Sequence, residues 1–138
     1  HVEFRNRTWH EYQVLQSLRD SGIGICNTEI PPFKSVFPLK DYATTRKGYI
    51  RYSGRNIENW YPKGRQIRSK DRISTRNARY DYSYSNQEIK SRVLKQLSLK
   101  QKTDLVAVAY NNHYSGQAVF NAIQNMKFIE QLELEPVL

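Results

Sequence analysis

The sequence contains little cysteine and little histidine. Cys26 is the single cysteine among 138 residues, which excludes an intrachain disulfide and a metal site built from several cysteines. Because it lies in the apolar segment 23–26, we interpret Cys26 as a small buried hydrophobic residue rather than a reactive thiol. The three histidines, His1, His10 and His113, are not spaced as zinc ligands. We therefore predict no metal and no other cofactor.

Long apolar runs are also missing. No segment approaches the ~18 apolar residues of a membrane-spanning helix, so we predict no membrane partner. Residues 1–5 lack the basic head and apolar stretch of a secretion signal, and we expect a cytoplasmic protein. The chain opens on an apolar/charged alternation without Met, so we expect its N-terminal part to be missing. The sequence has no P-loop and no nucleophile elbow.

Positive charge is concentrated in one polar stretch. The net charge is +9, and residues 63–79 carry +6 because seven basic residues there meet one acid, Asp71. These cations belong to a long basic loop over residues 56–80, and they are Lys63, Arg65, Arg68, Lys70, Arg72, Arg76 and Arg79. Such a loop attracts phosphates through a salt-sensitive field. Nucleic-acid binding through residues 63–79 is therefore an alternative function, although not the favoured one.

Hydrophobic patterning predicts strands that alternate with helices. The strands are expected at residues 2–5, 23–26, 49–52 and 105–110. The last is a continuous apolar run, which is typical of a parallel strand buried on both faces. This order predicts an α/β fold with a parallel sheet and crossover helices. Four strands are half of an eight-stranded barrel of ~250 residues, and an open doubly wound sheet is the alternative.

Helix starts are marked by three polar signals. The spacing of a capping box occurs at residues 8–11 and again at residues 85–88, each opening a helix. Ser115 is expected to start a third helix. The apolar stripes of these helices predict their buried sides, which are Val14, Leu15 and Leu18, then Ile89, Val93, Leu94 and Leu97, and finally Val119, Ala122, Ile123, Met126 and Ile129.

Four motifs in order resemble one known family. They are VEFRNRTW at residues 2–9, RYSGRN at 51–56, YDYSYS with Glu88 at 80–88, and NNHYSGQAVFNA at 111–122. The chain resembles the YecE-like proteins, which carry domain of unknown function 72. This resemblance implies a single partial TIM-barrel domain over residues 1–138, the C-terminal half with strands five to eight. It implies no settled reaction, although a relation to sugar isomerases has been suggested from the fold. Asn6 and Ser53 replace histidines that are common in the family.

In a TIM barrel the active site lies at the carboxyl ends of the strands. This rule selects Glu3 and His113 as candidate catalytic residues. The candidate ligand-binding residues share a position at or just beyond a strand end, and they are Arg5, Asn27, Arg51, Arg55, Trp60, Asn111 and Asn112. Four of these candidates also have a structural alternative. Glu3 could form a buried ion pair with an arginine, Asn112 could tie loops together, and His113 and Trp60 could serve packing.

The arginines favour a ligand with a carboxylate or phosphate, because their forked donors match these groups. We therefore predict a protein that binds a small anionic or polyhydroxylated ligand at the barrel mouth. The sequence leaves open whether the protein is an enzyme, and an isomerase-like or lyase-like reaction is the form that an activity would take. The sequence also leaves open an inactive fragment and the oligomeric state.

Overall fold

The computed structural model describes residues 1–61 and 77–134. Residues 62–76 contain six of the seven cations of the predicted basic loop, namely Lys63, Arg65, Arg68, Lys70, Arg72 and Arg76. These six cations lie outside the described residues, and Arg79 lies within them.

A parallel sheet organises the described chain. Its strands are β1 (Cys26–Glu29), β2 (Lys47–Tyr52) and β3 (Leu105–Tyr110), and they lie side by side in sequence order. In the register, Arg51 of β2 faces Thr28 on one side and Ala109 on the other. The predicted α/β class with a parallel sheet is therefore confirmed.

The segment predicted as the first strand, residues 2–5, does not form one. It contributes a single parallel bridge, in which Val2 pairs with Ile25. The chain then leaves the sheet, because Asn6 pairs with Val36 in an antiparallel bridge. The second strand begins at Cys26 rather than residue 23, which is a further correction.

The helices are α1 (Tyr12–Asp20), α2 (Ile57–Trp60), α3 (Asn86–Lys100) and α4 (Gln117–Leu134), with 3₁₀ turns at Arg7–Trp9 and Tyr114–Gly116. The capping box at the start of α3 is confirmed, with Ser85 and Glu88 each bonding the other's backbone N–H. The capping box predicted at residues 8–11 was wrong. Asn6 instead caps the 3₁₀ turn by accepting from the Thr8 amide at 3.0 Å.

The main core lies on one face of the sheet, which we call the helix-covered face. Ile50 and Tyr52 point from β2 into it and pack against Ile89, Val93 and Leu99 of α3. A smaller cluster joins Leu15, Ile25 and Phe37. The opposite face carries Thr28, Tyr49, Arg51, Ala107 and Ala109, and we call it the open face because α3 and α4 pack against the other side of the sheet. Cys26 is buried as predicted, and burial raises the pKa of its thiol.

Apolar burial on β3, α3 and α4 differs from the prediction. Leu105 and Ala107 are exposed, because β3 pairs with β2 alone within residues 1–61 and 77–134. Leu94 on α3 is also exposed. On α4 the exposed large apolar residues are Val119, Phe120, Ile123, Met126 and Leu132, while Asn121 and Asn125 are buried. The predicted apolar stripe of α4 therefore remains mostly uncovered in the described chain.

A buried polar layer holds α4 in place. Asn121 donates to the Tyr84 carbonyl and accepts from the Tyr84 amide, both at 3.1 Å. Asn125 and Gln96 exchange amide hydrogen bonds of 2.7 and 3.1 Å between α4 and α3. A buried amide that is left unpaired is costly. These bonds therefore fix the position of α4 relative to α3 and to the segment before α3 that contains Tyr84.

Candidate functional site

An ion-pair cluster lies at the carboxyl end of β2 on the open face. Glu3 holds Arg51, with Arg51 Nη2 at 2.7 Å from one carboxylate oxygen and 2.8 Å from the other. Arg5 donates its Nε to Glu3 at 3.1 Å. The Arg51 side chain is 25% exposed and that of Arg5 is 72% exposed. Two arginines therefore share one carboxylate, and the cluster carries a net positive charge.

This cluster borders a small pocket of about 100 Å³, which we call the open-face pocket. Ile30 and Ser53 line it together with three arginines and three aromatic residues, which are Arg5, Arg51, Arg79, Trp60, Tyr61 and Tyr80. Two buried polar atoms at this pocket, Ser53 Oγ and Arg51 Nε, have no hydrogen-bond partner in the part of the chain that the structure describes. Buried polar atoms of this kind favour a site that a ligand or water completes.

Aromatic rings form one wall of the open-face pocket. Trp60 and Tyr80 meet edge to face with their centroids 6.0 Å apart. The Arg79 guanidinium lies 5.5 Å from the centre of the Tyr80 ring. Because Trp60 and Tyr80 stand at the two ends of the long β2–α3 connection, their contact brings those ends together beside the pocket.

The candidate catalytic histidine lies behind this wall. The His113 ring is 4.8 Å from the Tyr80 ring, and its Nδ1 is 3.1 Å from the Asn111 carbonyl. His113 is exposed and does not line the pocket. Asn111 sits at the end of β3, where its amide donates to the Tyr52 carbonyl at 2.7 Å. Both residues therefore lie at the predicted edge of the sheet, but neither lines the pocket.

Two of the predicted ligand-binding asparagines serve as ties instead. Asn27 is buried, donates to the Tyr42 carbonyl at 2.9 Å and accepts from the Tyr42 amide at 3.0 Å. Asn112 is fully buried and donates to the Tyr82 carbonyl at 2.7 Å and to Asn121 Oδ1 at 2.8 Å. Neither asparagine lines the open-face pocket, because their amide donors join chain segments, and a ligand-binding role for them stays a prediction.

Arg55 belongs to a different part of the molecule. Its Nη1 is 3.6 Å from the Glu88 carboxylate, to which the Tyr82 hydroxyl also donates at 2.7 Å. Burial and this bond raise the pKa of Tyr82 to about 12. Burial opposes the charge of Glu88, but hydrogen bonds from Ser85 and Tyr82 lower the pKa of Glu88 overall. Arg55 therefore stands over the start of α3, on the helix-covered side of the sheet.

Sequence reasoning did not assign Ser53, Tyr61 or Tyr80 to the site. Ser53 lies two residues after Arg51, which places both on one face at the strand end, but Ser53 was not selected as a ligand-binding residue. Tyr80 was used only as part of the YDYSYS motif of the family resemblance. The signal available in the sequence was that a long loop must return near its starting point, so residues close to its two ends become neighbours.

The structure also limits other chemistries. Among residues 1–61 and 77–134, no group of three His, Cys, Asp or Glu side chains could hold a metal ion. Within the same residues, no helix has the length and apolar content required to cross a membrane.

The geometry defines a class of protein: a parallel α/β domain with a cationic, aromatic-walled pocket at the carboxyl edge of its sheet. A family model described as "Protein of unknown function DUF72" matches residues 1–137, so the chain belongs to the DUF72 family. The resemblance stated from the four motifs is thereby confirmed.

Several relatives are similar over nearly the whole chain. The UPF0759 protein YunF of Bacillus subtilis (strain 168) is 27% identical over 136 residues, which cover 94% of this chain and 46% of YunF. A DUF72 family protein from Thermotoga maritima MSB8 superposes with a TM-score of 0.79 and 32% identity, covering 94% of this chain and 45% of that one. A DUF72 family protein from Enterococcus faecalis V583 superposes with a TM-score of 0.76 and 26% sequence identity, and the match covers 93% of this chain and 46% of that one. The chain thus spans about half the length of the relatives it matches.

Proposed function

We propose that the open-face pocket binds a small anionic ligand with hydroxyl groups, of which a sugar phosphate is the simplest example. The observation that carries this proposal is the Glu3–Arg51–Arg5 cluster. It places two guanidinium groups against one carboxylate at the rim of a pocket. Guanidinium groups bind phosphate and carboxylate through paired hydrogen bonds, which makes such an anion the natural partner of the excess charge.

The roles of the surrounding residues follow from their contacts. Glu3 is a positioning residue, because its carboxylate is already bonded to Arg51 and Arg5. Ser53 Oγ offers a buried hydroxyl to a ligand oxygen. The pocket is small, so it takes the charged group of the ligand while the hydroxyl-bearing remainder lies against the Trp60 and Tyr80 rings.

An isomerase-like or lyase-like reaction would need a proton-transfer group beside the ligand. Glu3 is bonded to Arg51 and Arg5, and His113 contacts the Tyr80 ring without lining the pocket. Binding is therefore the function that the geometry supports best.

Thermal-shift measurements with glucose 6-phosphate, glucose and sodium sulfate at constant ionic strength test this proposal. Stabilisation by glucose 6-phosphate is expected to exceed that by either control, because the ligand combines charge with hydroxyl groups. Arg51→Gln should abolish this shift. The matched control is Arg46→Gln, which removes an exposed arginine from the opposite end of β2, where it pairs with Asp104. Equal shifts in wild type and Arg51→Gln would refute the proposal.

We also propose that the chain is the C-terminal half of a TIM barrel, with strands five to eight. Relatives about twice as long support this, as do the uncovered apolar residues on β3 and α4, such as Leu105 and Ile123. Large apolar patches on a protein surface usually meet another protein surface. Mixing the chain with the N-terminal half of the Thermotoga relative should give a one-to-one complex in light scattering. Failure to associate at micromolar concentrations would count against the barrel.

A further inference from the structure

A second and larger pocket lies on the helix-covered side of the same sheet edge. Its volume is about 390 Å³, and it lies between the segment 30–39 and helix α3. Ile30 lines it on one side and lines the open-face pocket on the other. We call it the α3 pocket.

The charged wall of the α3 pocket is made by Arg7, Arg55, Arg92 and Lys95, with Glu29 as the acid among its lining residues. Arg92 is 9% exposed and donates to both Glu29 carboxylate oxygens, at 2.8 and 2.9 Å. Arg55 lies near Glu88, which stands just outside the pocket. Four cations thus meet two carboxylates, and the region carries a net charge of +2.

The excess positive charge of the α3 pocket comes from two side chains that are unpaired in the described chain. The side chains of Arg7 and Lys95 are exposed and make no hydrogen bond or ion pair within residues 1–61 and 77–134. Both line the pocket, one from the N-terminal segment and the other from α3. Unpaired cations that reach one cavity from two segments leave their donors available to an anion.

The remaining wall is apolar and held in place. It consists of side chains from the segment 30–39, chiefly Phe33, Val36, Phe37, Pro38 and Leu39. Phe37 is buried in the cluster with Leu15 and Ile25. The backbone of this segment is tied to the N-terminal segment, since the Arg7 amide donates to the Ser35 carbonyl at 2.8 Å. The wall and the Arg7 backbone are thus held together before any ligand arrives.

We propose that the α3 pocket binds an oxyanion that carries an apolar body, as an aryl phosphate does. The anionic group pairs with Arg7 and Lys95, and the apolar body lies on the wall formed by Phe33, Val36 and Leu39. This site is separate from the open-face pocket, because its cations and its apolar wall lie on the other side of Ile30. Pockets that combine an apolar wall with a few placed charges are typical of small-molecule sites.

Calorimetric titration with phenyl phosphate at constant ionic strength tests the proposal, with inorganic phosphate as a second arm. Phenyl phosphate should bind at least about tenfold more tightly than inorganic phosphate, because only phenyl phosphate uses the apolar wall. The double variant Arg7→Gln/Lys95→Gln should lose at least about tenfold in affinity. Both positions are exposed, so these changes leave the core intact.

Two control variants separate the proposal from its rivals. Lys127→Gln removes an exposed lysine of α4 that lines neither pocket, and it should leave the affinity unchanged. Arg51→Gln removes the main cation of the open-face pocket, so any phosphate bound there is lost, whereas the binding that depends on Arg7 and Lys95 should remain. Loss of phenyl phosphate binding in Arg51→Gln would place the probe in the open-face pocket and overturn the proposal. An unchanged affinity in the double variant, or no saturable binding by wild type, would overturn it as well.

Discussion

Breaking the buried ion pair between β1 and α3 is expected to destabilise the fold strongly. Glu29 and Arg92 are both largely buried, and they join residues 63 positions apart. Burial opposes the charge of Arg92, but the hydrogen bonds and charge of Glu29 outweigh it and raise the pKa of Arg92. Replacing Glu29 with Gln therefore leaves a buried guanidinium without its carboxylate.

The magnitude follows from the contacts that remain. Removing one partner of a buried pair costs about 3–5 kcal/mol. In Glu29→Gln, Arg92 keeps its bond to the Glu88 carbonyl at 3.1 Å and stays 4.0 Å from the Glu88 carboxylate. We therefore expect about 3 kcal/mol, the lower end of that range. The double variant Glu29→Met/Arg92→Met removes both buried charges. It should therefore lower the free energy of unfolding by less than Glu29→Gln alone.

Urea unfolding followed by tryptophan fluorescence gives these free energies of unfolding. Trp9 and Trp60 lie in separate parts of the fold, so their fluorescence reports on both parts. The exposed pair of Arg46 and Asp104 provides the control, and Arg46→Gln should cost less than about 1 kcal/mol. A cost below about 1 kcal/mol for Glu29→Gln, or a double variant less stable than Glu29→Gln, would refute the reasoning.

Three further changes have defined outcomes in the same unfolding assay. Ser85→Ala removes the capping box of α3 and should cost about 1 kcal/mol. Gly54→Ala should cost more than about 2 kcal/mol, because Gly54 has φ +89 and a new Cβ would lie 2.8 Å from the Tyr82 side chain. Asp41→Asn should cost less than about 1 kcal/mol at neutral pH, since its partner Lys102 is half exposed.

The first two of these changes have matched controls. Ser91→Ala, at an exposed position within α3, should leave stability nearly unchanged. Gly22→Ala shares a positive φ but meets no atom within 4 Å, so it should cost less than Gly54→Ala. If Gly22→Ala proves as costly as Gly54→Ala, the contact with Tyr82 has no role.

The Asp41 prediction also has a pH signature. Hydrogen bonds from Lys102 and Ser98 lower the pKa of Asp41 from 3.8 to about 2. A lowered carboxyl pKa gives stability that is complete above pH about 4–5 and is lost as the pH falls toward 2. The difference in unfolding free energy between wild type and Asp41→Asn should therefore shrink over this range. A difference that stays constant from pH 5 to about pH 2 would contradict the assigned hydrogen bonds.

Strands with a strong local signal were predicted well from the sequence. Residues 105–110 form β3 as expected, and Ser85 caps α3, because both depend on short stretches of chain. The prediction of a strand at residues 2–5 was wrong because the next residue, Asn6, pairs with Val36 and leads the chain away from the sheet. The alternation of apolar and charged residues does not reveal such a contact. The apolar stripe of α4 was identified, but periodicity does not tell which of two faces the rest of the protein covers.

The candidate site was predictable only in part for a related reason. Arg51 and Glu3 were selected because strand ends converge, and they do meet, although the segment of Glu3 forms a single bridge instead of a strand. Arg92 was missed because an arginine on a helix is normally exposed, and its partner Glu29 lies on a distant strand. The α3 pocket depends on how the segment 30–39 folds back onto α3, and the sequence gives that segment no regular pattern.

The most direct test of the central claim is an NMR titration of isotopically labelled protein with glucose 6-phosphate. The account predicts that the largest shift changes occur at the Arg51 guanidinium, the Ser53 amide and the Trp60 indole, around the open-face pocket. Signals at the opposite end of the sheet, such as those of Arg46, should stay in place. Changes spread over the surface without a maximum at these three residues would contradict the claim that strand ends converge on a ligand site.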